Sequence, residues 1–285
     1  MSNKLETNFI GLKLKNPVFV ASGIIGFGEE YSGLFNINLL GGIITKTITL
    51  YPRKGNAMPR IVETPHGMIN TIGLENPGVD KFIEEKVPFI KKNIRTKVIA
   101  SIGGENAEEF VGIIGKINAL ECISALELNL SCPNVGLAKG TQLLSQNPVD
   151  AFKTVKKVKE ASKFPIITKL SPAVTDITQI ASACEEAGSD ALSLINTVPG
   201  MHYDKTTKTK IFGGFSGPSI KPVALRAIYN VSKKSKIPIM GVGGIACAED
   251  VLEFFDAGAT VVAVGCGMFK NPLVPIEIIN TLRKA

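Results

Sequence analysis

The stretch PIITKLSPAVTDITQIASACEEAGSDALSLI, residues 165–195, holds the unit from which the whole chain is built. Its first six residues form an apolar, β-branched run that reads as a strand buried on both faces. The amphipathic segment 176–187 reads as a helix, and Gly188 supplies the residue able to take the left-handed conformation that ends one. A second apolar run, 191–195, predicts the next strand. The same alternation extends outward to both ends. Strands are expected at 18–21, 42–45, 97–102, 125–129, 165–170, 191–195, 238–242 and 260–264, and helices at 29–36, 78–92, 107–119, 148–162, 176–187, 220–232, 247–257 and 272–283. Gly258 closes the helix before it as Gly188 does. Eight such pairs in 285 residues fit an α/β fold of the closed parallel (β/α)8 type, the TIM barrel, better than an open doubly wound sheet. No internal run rich in Gly, Ser or Pro divides the chain, so residues 1–285 are expected to form one domain.

An apolar share of 45% with 20% charged residues belongs to an ordinary globular protein with a sizeable core. No run approaches the ~20 apolar residues of a membrane helix, and Met1 to Glu6 contain no apolar signal region, so a cytoplasmic protein is expected. Five cysteines, Cys122, Cys132, Cys184, Cys247 and Cys266, stand at irregular spacing and read as free thiols. Closely grouped thiolates or histidines are lacking, so no metal site is expected in this chain. With only His66 and His202, a histidine triad is a poor candidate, which turns attention to thiol and lysine as proton carriers. The net charge of +7 is spread over helix faces, as in Lys153, Lys156, Lys157 and Lys159. Without a basic tail or an aromatic-interleaved stripe, this pattern argues against nucleic-acid binding and suits small anions instead.

Three connections, 47–76, 131–147 and 196–217, are too long for simple links, and all follow strands. In a barrel such loops gather at the C-terminal mouth, so they are expected to form lids or walls of a site. Gly241-Val242-Gly243-Gly244-Ile245 closes the seventh strand and Val264-Gly265-Cys266-Gly267 the eighth, where barrels commonly bind phosphate. Helix starts near Ala246 and Asn271 would add favourable dipole ends for an anion. Lys46 follows the second strand, and Lys169 lies within an apolar one. An ammonium there is costly unless it is used, either to neutralise an anion or as a Schiff-base nucleophile. Asn70, Asn129, Asn134, Asn196 and Thr197 offer donors and acceptors suited to a planar, amide-rich ligand. The hexapeptide Asn129-Leu130-Ser131-Cys132-Pro133-Asn134 sets a thiol where a strand gives way to a loop. From the residues alone Cys132 is open to service as nucleophile, metal ligand, redox partner or proton-transferring base, or as a buried small hydrophobe.

Together these motifs resemble the dihydroorotate dehydrogenases of class 1, and most closely the catalytic subunit of the class 1B enzymes. The resemblance runs almost end to end. It is carried by Ala21-Ser22-Gly23 with Gly28-Glu29-Glu30-Tyr31, by Thr45-Lys46-Thr47, by Asn70 to Gly78 and by Asn129 to Asn134. It continues through Lys169-Leu170-Ser171-Pro172, Ile195-Asn196-Thr197, Gly213 to Pro218 with Ile220-Lys221-Pro222, and Gly243-Gly244. It implies an FMN enzyme of pyrimidine biosynthesis that oxidises dihydroorotate to orotate, with Cys132 as the general base at C5 of the substrate. The positions matching the family's substrate contacts are Lys46, Asn70, Thr71, Ile72, Gly73, Leu74, Asn129, Asn134, Asn196 and Thr197. Those matching its FMN contacts are Ser22, Lys46, Thr47, Ser101, Asn129, Lys169, Ile195, Gly217, Gly243, Gly244, Gly265 and Cys266. Cys266 stands where threonine is frequent, and Ser101 and Ala173 stand where asparagine is.

Class 1B enzymes work with a second subunit that carries FAD and a two-iron two-sulfur cluster and passes electrons to NAD. The resemblance therefore implies a homodimer core within a heterotetramer. The alternative in the same family is the class 1A homodimer, which uses fumarate. Outside it stand a Schiff-base aldolase built on Lys169, which leaves Cys132 unexplained, and a non-catalytic flavin-binding barrel.

Overall fold

The computed structural model describes residues 5–130 and 144–284. Cys132 and Asn134 lie outside the described residues. The described chain opens with an antiparallel hairpin, β1 (Thr7–Phe9) and β2 (Leu12–Leu14), turned at Ile10 and Gly11 with φ of 49° and 80°. Then come β3 (Val18–Val20), β4 (Gly42–Ile44), the hairpin β5 (Ile61–Thr64) and β6 (Gly67–Asn70), β7 (Lys97–Ile102), β8 (Ala125–Asn129) and β9 (Ile166–Leu170). The chain continues with β10 (Ala191–Leu194), the hairpin β11 (Val198–Asp204) and β12 (Thr209–Ser216), β13 (Ile239–Val242) and β14 (Val261–Val264). Strands β3, β4, β7, β8, β9, β10, β13 and β14 pair in parallel, and β14 returns to β3 through Val262↔Val18 and Val264↔Val20 to close the barrel. Every expected strand is present, each end within one residue of its expected place.

Two cores hold the barrel together. Outward residues such as Val20, Ile43, Leu126 and Leu128 pack under the helices against Phe82, Phe110 and Phe254, all buried. Inward residues such as Phe19, Ile44, Ile99 and Ile167 fill the lower interior, and Phe9 and Leu14 of the first hairpin plug its base. The Phe9 and Phe19 rings meet at 6.5 Å and 59°. Each such side chain contributes about 1.5–3 kcal/mol by leaving water. Two residues further along each inward row the chemistry changes. Ile99 is followed by Ser101, Ala125 by Glu127, Ile167 by Lys169 and Ala191 by Ser193, so a polar layer lies beneath the C-terminal mouth.

Seven of the eight expected helices form. Asn106, Asn147 and Asp176 cap three of them by accepting from Glu109 N, Val149 N and Thr178 N. Gly188 and Gly258 end two with φ of 96° and 110°. The segment expected as helix 29–36 instead makes two short 3-10 turns, Glu29–Tyr31 and Ile37–Leu39. Gly28 enters it at φ 98°, and the Asn36 side chain accepts from Asn38 N, a local bond that competes with a continuous helix.

Two of the long connections are not plain loops. The hairpins within 47–76 and 196–217 join as one antiparallel sheet in the order β11-β12-β6-β5, with Gly214 opposite Asn70. The strands approach so closely that a Cβ on Gly214 would stand 2.1 Å from Thr197 Oγ1. Ile69 and Phe215 turn one face of this sheet onto the core. Among the described residues, no helix is long and apolar enough to cross a membrane.

Candidate active site

A pocket of about 390 Å³ opens at the C-terminal ends of the barrel strands, beside the four-stranded sheet. That size suits a small-molecule or cofactor site. Strand ends bring Ser22, Lys46, Thr47, Asn129, Lys169, Ile195, Asn196 and Thr197 to its wall. The sheet and the segment after it add Asn70, Ile72, Leu74 and Gly217, and the last two strands add Gly243, Gly244, Gly265 and Cys266. Three expected residues do not line it. Ser101 lies beneath, its hydroxyl 2.9 Å from Thr47 Oγ1. Thr71 turns to Asn56, whose Nδ2 donates to its carbonyl and hydroxyl at 3.0 and 2.8 Å, and Gly73 backs onto the same asparagine.

The polar groups form a chain across the barrel mouth, linking the ends of β3, β4, β8 and β10. Ser22 Oγ donates to Thr45 O at 2.8 Å and lies 3.2 Å from Thr47 Oγ1. Asn129 Nδ2 donates to Thr47 Oγ1 at 3.4 Å, Asn196 Nδ2 donates to Asn129 Oδ1 at 3.5 Å, and Thr197 N donates to Asn196 Oδ1 at 2.8 Å. Lys46 Nζ stands 3.8 Å from Glu75 Oε2, which also accepts from Arg60 Nη1 at 2.6 Å. Lys169 Nζ stands 3.6 Å from Glu127 Oε1 in the polar layer. Burial pushes the Cys266 thiol up despite a hydrogen bond with Ser216. Burial pushes Cys184, on the inner face of the helix Ile177–Glu186, up to about 12.

The glycines after the last two strands line the far end of the pocket. A Cβ on Gly265 would meet only Ala21 Cβ, at 3.9 Å, and would therefore stand in the pocket itself. Gly243 and Gly244 take φ of 128° and 81°, which other residues avoid. The helix starts behave differently from expectation. The amides of Ala246 and Cys247 donate to Asp250 Oδ2 at 2.7 and 3.1 Å, so a carboxylate of the protein already occupies that dipole end. Asn271 likewise serves its own chain, accepting from Leu273 N at 3.0 Å.

Burial works against an ionised Asp250, but the Lys221 ammonium at 2.7 Å, the Ala246 amide and the Cys247 thiol outweigh it and hold the carboxyl below its ordinary range. A depressed folded value means stability that is fully present above the unfolded value, about 3.9, and is lost as pH falls through the folded one. Asp250→Ala is expected to cost about 1–2 kcal/mol at neutral pH, read as a lower unfolding temperature. The gap to the parent should close as both are measured at increasingly acid pH.

Two residues at or beneath the pocket have signals that sequence reading passed over. Glu127 is a charge in an apolar strand, the very signal that marked Lys169. Glu75 sits among the motif residues 70–78, and its partner Arg60 is fifteen residues away, a pairing no periodicity reveals.

The chain matches a family model described as dihydroorotate dehydrogenase over residues 4–285. It is 47% identical to the dihydroorotate dehydrogenase B (NAD(+)) catalytic subunit of Bacillus cytotoxicus, over 98% of this chain and 91% of that protein. It is 48% identical to the protein of the same description from Caldicellulosiruptor saccharolyticus, over 96% of this chain and 91% of that one. A match of this extent, on a closed parallel barrel, identifies the chain as a member of the dihydroorotate dehydrogenase family.

Proposed function

We propose that this chain oxidises dihydroorotate to orotate as the catalytic subunit of a class 1B enzyme of pyrimidine biosynthesis. The observation that carries the reading is the convergence of Lys46, Asn70, Asn129, Lys169, Asn196 and Thr197 with the glycines after β13 and β14 on one pocket. The asparagines and Thr197 offer both donors and acceptors to the amide edges of a pyrimidine ring, and Lys46 attracts its carboxylate. Cys132, with Asn134 beside it in the motif 129–134, takes the proton from C5 of the substrate. Ser22, Thr47, Lys169, Ile195, Gly217, Gly243, Gly244, Gly265 and Cys266 would hold FMN, and the Gly265 cradle fits a phosphate approached by backbone rather than side chains. When bound, FMN supplies the hydride acceptor. Ser101 contributes from below by orienting Thr47, and Thr71, Ile72, Gly73 and Leu74 shape the segment that carries Asn70 into the site.

The relatives' description as catalytic subunits with NAD(+) supports a partner that carries electrons onward. The partner's FAD and two-iron two-sulfur cluster, the heterotetramer built on a homodimer and a cytoplasmic setting belong to the same proposal. Acceptor assays test it. The isolated chain is expected to leave both NAD and fumarate unreduced, and NAD reduction is expected only with the co-purified partner. Direct turnover with fumarate would instead place the chain with the class 1A enzymes.

A further inference from the structure

Glu127 is a fully buried carboxylate inside the barrel, at 0% exposure on β8. Its Oε2 accepts from Ser193 Oγ at 3.2 Å, while its Oε1 has no hydrogen-bond partner among the described residues and lies 3.6 Å from Lys169 Nζ. The barrel interior just below is apolar, with Ile99, Ala125 and Ile167. A buried ion pair in such surroundings does little for the fold, since a well-packed apolar residue commonly serves stability as well or better. Lys169 is only 7% exposed, yet it lines the pocket, so the pair has one member in the interior and one at the floor of the site. Strand register sets Lys169 between Asn129 and Ser193, and both Lys169 and Ser193 thereby meet Glu127 from the same side of the barrel.

We propose that Glu127 is a positioning residue. It holds the Lys169 ammonium at the pocket floor and offsets part of its charge, and so sets the positive field felt by a bound flavin. This rests on the reading of the pocket as an FMN site. Fixed charges placed before reaction cost no reorganisation during it, and their effect on an anionic reduced ring is direct. Ser193, anchoring Oε2, keeps the carboxylate from following a ligand.

The test compares holoenzymes carrying the parent residue and Glu127→Gln, which keeps shape and the Ser193 bond but removes the charge. Flavin content, unfolding temperature, flavin midpoint potential and the dissociation constant for sulfite are measured on each. With the compensating charge gone, sulfite binding is expected to tighten about tenfold and the potential to move positive, with flavin still bound. A change in unfolding temperature alone, with the sulfite constant unchanged or weakened, overturns the proposal. Should Glu127→Gln not fold, Glu127→Asp draws the carboxylate back from Lys169 and must tighten sulfite binding in the same direction, or the proposal fails. A parent protein that holds no flavin at all would instead refute the FMN reading.

Discussion

Replacing Cys132 by Ala is expected to leave flavin bound and to slow its reduction by dihydroorotate by about 10²–10⁴-fold. Loss of hydride from C6 requires that the C5 proton leave to a base, and both lysines of the described pocket stand beside carboxylates. Lys46 lies near Glu75, which Arg60 also engages, and Lys169 lies beside Glu127. Cys266 is a thiol pushed up by burial, at the cradle end of the pocket. We propose Cys132, the thiol of the motif 129–134, for this role, as the family resemblance implies. Cys132→Ser should retain more activity than the alanine variant, with its rate displaced to higher pH because a hydroxyl gives up its proton less readily. Rapid mixing of each variant with dihydroorotate, without oxygen, reads the flavin colour directly. Unchanged reduction in the alanine variant would remove Cys132 from the mechanism.

Gly265→Val carries the second large effect, on binding rather than chemistry. The Cβ at this position has only Ala21 within 4 Å, and the backbone is not left-handed, so the barrel accepts the side chain. The pocket is expected not to, because in the proposed FMN site the added methyls fill space that the ligand takes. Flavin affinity is expected to fall by about 100-fold or more, equivalent to at least about 2.7 kcal/mol, while the unfolding temperature of the flavin-free protein stays near that of the parent. A Cβ on Gly42 presents the contrast: it would meet the Phe19 ring at 2.2 Å inside the barrel, so there the cost lands on the fold. Titration of flavin into each apoprotein, with a thermal melt alongside, separates the two. Near-parent affinity in Gly265→Val would move the phosphate site away from the ends of β13 and β14.

The barrel strands were legible because each is buried on both faces and therefore reads as a short unbroken apolar run, with a glycine at φ 96° or 110° marking two of the helix ends. The sheet beside the mouth was not. Its strands are only partly buried and form no unbroken apolar runs, and its key pairing sets Asn70 against Gly214, a contact between residues far apart in sequence. The same distinction runs through the site. Lys46, Asn129, Lys169 and Asn196 sit at strand ends and could be placed from the strand pattern, and they meet in one pocket. Thr71 and Gly73 belong to a motif whose local turn, packed on Asn56, decides which of its members face inward. The capping of Ala246 and Cys247 by Asp250 was equally hidden, since a helix start looks the same in sequence whether its amides are used or open. Glu127 was visible in principle, but its meaning depends on the 3.6 Å contact with a lysine on the next strand.

In the proposed reaction the pocket joins a flavin to dihydroorotate. It is tested most directly by anaerobic titration of the purified chain, reconstituted with FMN, with dihydroorotate. The account predicts that the flavin absorbance bleaches and that orotate appears in equal amount to the flavin reduced. A protein that takes up no flavin, or one whose flavin stays oxidised in excess dihydroorotate, would contradict it.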